Sequence, residues 1–168
     1  MELKKQIRAN LASVGEHIAD AAARSGRDPG EVTVVAITKL FGLEYIQAAY
    51  ELGLRHFGEN QVEKAAEKRP AFRDWLAGQK GPTWHMVGHL QRRKAGDALR
   101  LFDLIHSVDS LRLAERIDRL GQREGREPMP ILLEVNTSGK SRSTASASTV
   151  GRRTQRSGPI FSRRWSGF

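Results

Sequence analysis

Lys39 closes the run VTVVAITK (residues 32–39), and it is the residue in this sequence best suited to covalent chemistry. Val32, Val34, Val35, Ala36 and Ile37 form a nearly continuous β-branched stretch, the pattern of a parallel strand covered on both faces. The carboxyl ends of such strands are where α/β folds place their chemistry. A lysine there is either a solvated strand-end charge or an amine aimed into a pocket. Withdrawn from water, that amine turns nucleophilic and can attack an aldehyde. His85 and His89 are spaced HxxxH, which on a helix would align two metal ligands. Here they straddle the end of a strand and its loop, with no carboxylate in the same stretch, so the spacing argues against a metal site. Gly58-Glu59-Asn60 and Gly88 lack the spacing of a nucleotide-binding loop. No Gly-x-Ser-x-Gly elbow occurs, and with no cysteine there is no thiol nucleophile. Arg92-Arg93-Lys94 reads as a solvated helix face before it reads as a phosphate grip.

The elements that must position these residues alternate. Leu3, Ile7, Leu11, Val14, Ile18 and Ala22 recur at steps of three and four, predicting an amphipathic helix over 2–24. A strand over 32–39 follows, then a helix over 43–52 stopped by Gly53. A short strand is expected over 54–57, leading into Gly58-Glu59-Asn60. A helix over 61–76 must be interrupted or kinked at Pro70. Further strands are expected over 83–87, 104–108 and 131–135, with a basic helix over 90–101 and a second helix over 111–120. Five strands alternating with helices predict an α/β fold with a parallel sheet. Parallel strands bring Lys39, Gly58–Asn60, Gly88-His89, Asp109-Ser110 and Asn136–Ser138 to one face.

Composition sets the outer limits. The 168 residues suffice for one domain with a real core but fall short of a complete (β/α)8 barrel, which needs about 250. The absence of cysteine excludes a disulfide framework or a thiolate metal site. The N-terminus has no secretory apolar stretch and no run approaches a membrane span, so a cytoplasmic location is expected. The net charge of +9 is uneven: residues 140–168 hold seven basic side chains and no acidic one, leaving +2 for residues 1–139. That tail is low in complexity and rich in Arg, Ser and Gly. It lacks helix or strand period and is expected to be disordered. It could bind nucleic acid non-specifically through counterion release, a reading set aside in favour of the one below.

VAITK, FGEN, WHMVGHLQRRK, IHSVDS and LLEVNTSG occur in the order and spacing of the pyridoxal phosphate homeostasis proteins. These are the proline synthase co-transcribed homologues, built on an alanine-racemase-like barrel. The resemblance spans residues 1–139. It implies an α/β fold, a (β/α) barrel of the alanine-racemase N-terminal type that binds pyridoxal 5′-phosphate (PLP), here truncated after about five strands. It implies that Lys39 holds PLP as a Schiff base and that Asn60 and His85 line the cofactor mouth. Met86 stands where the family usually has an aromatic residue, and Arg92-Arg93 where it has smaller polar ones. The implied role is to buffer and deliver PLP, with PLP-dependent apoenzymes as recipients, in a monomer or weak dimer without established turnover. A racemase-like amino-acid enzyme on the same fold is the alternative. After residue 139 the family's further βα units, with their GMS-type and late Arg-Ile-Gly-Thr phosphate-binding motifs, do not appear. Two regions are therefore expected: a partial barrel over 1–139, and a tail over 140–168 that resembles nothing in the family and fits a reading-frame shift. Loss of the phosphate cup should weaken the hold on PLP.

Overall fold

A computed structural model describes residues 2–137. Helix α1 (Glu2–Ser25) leads to strand β1 (Ala36–Ile37), then α2 (Leu43–Glu51), β2 (His56–Glu59), α3 (Val62–Leu76) and β3 (Thr83–Met86). The chain continues through α4 (Ala95–Leu101), β4 (Leu104–Val108), α5 (Leu111–Arg123) and β5 (Ile131–Leu133). The five strands form one sheet in the order β1-β2-β3-β4-β5, each parallel to its neighbour. A doubly wound sheet reverses its strand order at a switch point. Here each strand is added beside the one before it, and α1 to α5 touch in succession, which is the winding of a barrel wall.

Alternation divides the sheet into two faces. Phe57, Trp84, Met86 and Ile105 point outward beneath the helices and are almost fully buried. Phe72 of α3 meets Phe57 and Trp84 with ring centroids 6.3 and 6.1 Å apart, and Tyr50 of α2 meets Phe72 edge-on at 5.5 Å. This aromatic cluster holds helix to sheet. The opposite, inner face carries Ile37, His56, Gly58, His85, Val87 and His106. A Cβ on Gly58 would lie 2.7 Å from Ile37 Cδ1 and 3.3 Å from both Val35 Cγ1 and Val87 Cγ1, which places those side chains on the inner face.

Several boundaries differ from expectation. The strand expected over 32–39 is paired only at Ala36–Ile37; Val32 follows a 3-10 turn (Pro29–Glu31) and is exposed. It is not covered on both faces either, since Ile37 is 42% exposed. β1 lies at the sheet edge, so only one neighbour can define its length. β2 begins two residues later than expected and takes in Gly58 and Glu59. β3 stops at Met86 and β5 at Leu133. Helix α3 runs unbroken through Pro70. The carbonyl that Pro70 cannot serve belongs to exposed Ala66, where water can take the bond. The basic helix begins at Ala95 rather than at residue 90. Buried Leu90 anchors an extended segment there, and a 3-10 turn (Arg92–Lys94) precedes α4. Helix α5 continues past Gly121 and ends where Gly125 turns left-handed, its N–H bonding the Gln122 carbonyl and that of Arg126 bonding Gly121. The expectations for residues 138–168, including the Ser/Arg-rich tail, lie outside the described residues.

Candidate functional site

The carboxyl ends of all five strands open on one edge of the sheet, which gathers Lys39, Asn60, Gly88-His89, Asp109-Ser110 and Asn136 as the parallel pattern required. Lys39 stands two residues beyond β1. Ile37 is paired with Gly58, and Thr38 N–H still donates to the Gly58 carbonyl at 3.0 Å. Lys39 then enters the turn that Phe41 N–H closes on the Thr38 carbonyl at 3.0 Å, at the carboxyl end of β1. Lys39 is exposed and, among the described residues, has no hydrogen bond or ion pair. An uncommitted primary amine thus stands at the mouth of the sheet.

The residue before Lys39, Thr38, enters a buried polar knot on the helix side of the sheet. Thr38 Oγ1 donates to Glu59 Oε1 at 2.6 Å, and Lys68 Nζ donates to the same oxygen at 2.7 Å and to the Thr38 carbonyl at 2.6 Å. Glu59 is fully buried and the Lys68 side chain only 12% exposed. The second carboxylate oxygen, Glu59 Oε2, has no partner among the described residues. Burying two charges is costly unless they stay paired. The knot therefore ties α3 to the peptide immediately before Lys39, fixing the backbone that carries the amine.

Gly88 brings two loops together. A Cβ there would fall on the Asn60 carbonyl oxygen, so only glycine lets the loops after β2 and β3 approach so closely. Asn60 is held partly buried at that junction. Across the mouth, His89 Nδ1 lies 3.4 Å from Asp109 Oδ2 and links the loops after β3 and β4.

His85 lies lower, in the middle of an imidazole ladder. His56 Nδ1 is 2.9 Å from His85 Nε2, and His85 Nδ1 is 2.8 Å from His106 Nε2. Both ring nitrogens of His85 are thus committed to neighbouring rings. A neutral His85 has one N–H, so it donates to one neighbour and accepts from the other. Burial, and then the adjacent His106 and His56, push its pKa down to about 4; burial also lowers that of His106. His85 is therefore neutral near pH 7, and the ladder crosses β2, β3 and β4 on the inner face of the sheet. His85 and His89 do not converge, and among the described residues no group of His, Asp or Glu is arranged to hold a metal.

Spacing in the sequence paired His85 with the wrong histidine. His56 and His106 are 29 and 21 residues away from it. The signal that could have found them is one histidine on each of three successive strands, in HFGE, TWHM and LIHSV. Glu59 and Lys68 also escaped the sequence reading, because nothing local says that α3 folds back under β1.

Residues 5–151 match the family described as alanine racemase, N-terminal domain. The chain is 37% identical over 130 residues to the pyridoxal phosphate homeostasis protein of Escherichia coli K12, covering 77% of this chain and 54% of that one. It is 34% identical over 152 residues to the protein of that name from Mycobacterium tuberculosis H37Rv, covering 84% and 59%. The chain thus spans little more than half the length of these curated relatives. Among solved structures, PipY of Synechococcus elongatus PCC7942 with PLP bound superposes with a TM-score of 0.64 at 38% identity, covering 80% of this chain and 57% of that one. A protein of unknown function from Bifidobacterium adolescentis superposes with a TM-score of 0.75 at 32% identity, covering 83% and 58%.

Proposed function

This chain belongs to the alanine racemase N-terminal-domain family, and on that premise we propose that it binds PLP at Lys39 and serves PLP homeostasis. The observation that carries the reading is the uncommitted Lys39 amine at the carboxyl-end edge of the sheet, its backbone tied down by the Glu59–Lys68 pair. PLP supplies an aldehyde that condenses reversibly with a primary amine. The residues present suit that partner. Lys39 offers the amine and Asn60 offers an amide to the ring's polar substituents, while neutral His85 adds no charge to the inner face of the sheet. His85, with both nitrogens engaged, acts by holding the imidazole ladder in place. Curated relatives carrying the homeostasis name favour a carrier over a racemase. The recipients of the cofactor would be PLP-dependent apoenzymes, and the cytoplasm is the compartment that goes with this role. No helix among the described residues is long and apolar enough to cross a membrane.

The test is a PLP titration of the purified chain, followed by absorbance and by borohydride reduction with peptide mass mapping. A saturable band, reduced onto the Lys39 peptide and lost in Lys39→Ala, is the expected result. Label spread over several surface lysines, or unchanged in Lys39→Ala, would refute the reading.

A further inference from the structure

A second charged feature lies away from Lys39, on the helical layer. Arg92 and Arg93, in the turn before α4, converge with Arg112, Arg116 and Arg119 of α5 to line one cleft, and among the described residues Glu115 is the one carboxylate there. Positions 112, 116 and 119 share one face of α5, opposite its buried Leu113 and Ile117. Among the described residues none of the five guanidinium groups has an ion pair; Arg93 Nε donates only to the Gln91 side chain, at 3.0 Å. The contrast with neighbouring Lys94 is instructive, since that cation is paired with Glu63. The start of α5 adds to the imbalance. Its first turn has no acidic residue and Ser110 makes no side-chain cap, yet Arg112 sits at this positive end of the helix.

Five guanidiniums against one carboxylate leave this concavity with a positive excess that an anion would neutralise. We propose that this cleft is a binding site for a compact, multiply charged phosphate anion. Arginine forks match phosphate oxygens bidentately, which suits phosphate better than a lone halide or carboxylate. Two features favour a compact anion over a nucleic-acid strand. The charges converge on one cleft rather than forming a stripe, and among the described residues no aromatic side chain lines it to stack bases. The lining of the cleft shares no residue with Lys39, Asn60 or His85, so its occupancy can be read apart from PLP binding.

The experiment is calorimetric titration of the full chain with orthophosphate, pyrophosphate and inorganic tripolyphosphate. Affinity should rise along that series and fall as salt goes from about 50 to about 200 mM. Arg112→Gln with Arg119→Gln, both at exposed positions, should weaken tripolyphosphate about tenfold or more while the melting temperature stays unchanged. A control variant with Arg152, Arg153 and Arg156 replaced by Gln separates the cleft from the basic tail and should bind as the parent does. The proposal is overturned if tripolyphosphate gives no saturable heat, or if the tail variant loses binding while the cleft variant keeps it. It is equally overturned if a single-stranded oligonucleotide binds the parent tighter than tripolyphosphate and loses that affinity in the cleft variant.

Discussion

At the scale of single residues, the Lys39 region rests on one buried ion pair and one imidazole ladder. Glu59 is fully buried, and Lys68 is the cation that compensates it. Lys68→Met leaves that carboxylate in the core without its counter-charge, and a loss of roughly 3–5 kcal/mol is expected. Replacing both, as Glu59→Gln with Lys68→Met, should recover part of it; equilibrium urea unfolding of the two variants makes the comparison. The ladder gives the molecule an acid-sensitive component. Unfolded histidines titrate near about 6.5, whereas folded His85 resists protonation down to about 4. Between these values the unfolded chain binds more protons, so acid favours unfolding. The contribution is whole above about pH 6.5 and is lost as pH falls toward 4. Urea midpoints taken across that window should slope upward with pH, and His85→Leu should flatten the slope. A parent midpoint that does not change with pH would show that the ladder does not govern acid sensitivity.

At the scale of elements, close approach decides which glycines are replaceable. A methyl group on Gly88 meets the Asn60 backbone, which cannot retreat without parting the loops after β2 and β3. On Gly58 it meets the far end of the Ile37 side chain, which can turn away toward solvent. Gly88→Ala should therefore cost about 1–3 kcal/mol and Gly58→Ala distinctly less, as thermal melts would show. Equal shifts would mean that the loop junction yields as readily as a side chain. Strand and helix types were legible from period alone because each covered face imposes its own spacing, as in α5, where Leu113 and Ile117 go inward and the arginines outward. The ends were less legible. Val32–Val35 has the composition of a strand and lacks a partner, and α3 continues through a proline because the orphaned carbonyl is solvated.

At the scale of the whole molecule, the described helices cover one face of the sheet, and on the other Ile37 stands 42% exposed. Among the described residues the outer edges of β1 and β5 pair with no further strand, and Leu133 and Val135 are 53% and 74% exposed. Exposed apolar edge strands template association between copies. Leu133→Lys should raise the concentration at which the protein begins to scatter light, while leaving its melting temperature within the range of a neutral surface change. Unaltered scattering would move the source of association to another surface. The arginine cleft belongs to this scale as well, since its two halves come from separate βα units.

The sequence by itself determined the alternation of strands and helices, the common edge that gathers their carboxyl ends, and the prominence of Lys39. Each of these follows from local period and from the direction of the chain. Only the tertiary structure decided which partners those residues meet. Glu59 with Lys68, His85 with His56 and His106, and Arg92 with Arg116 are pairings across elements, set by register and by helix packing. No spacing along the chain encodes them, because strand pairing brings together residues whose separation depends on the length of whatever lies between.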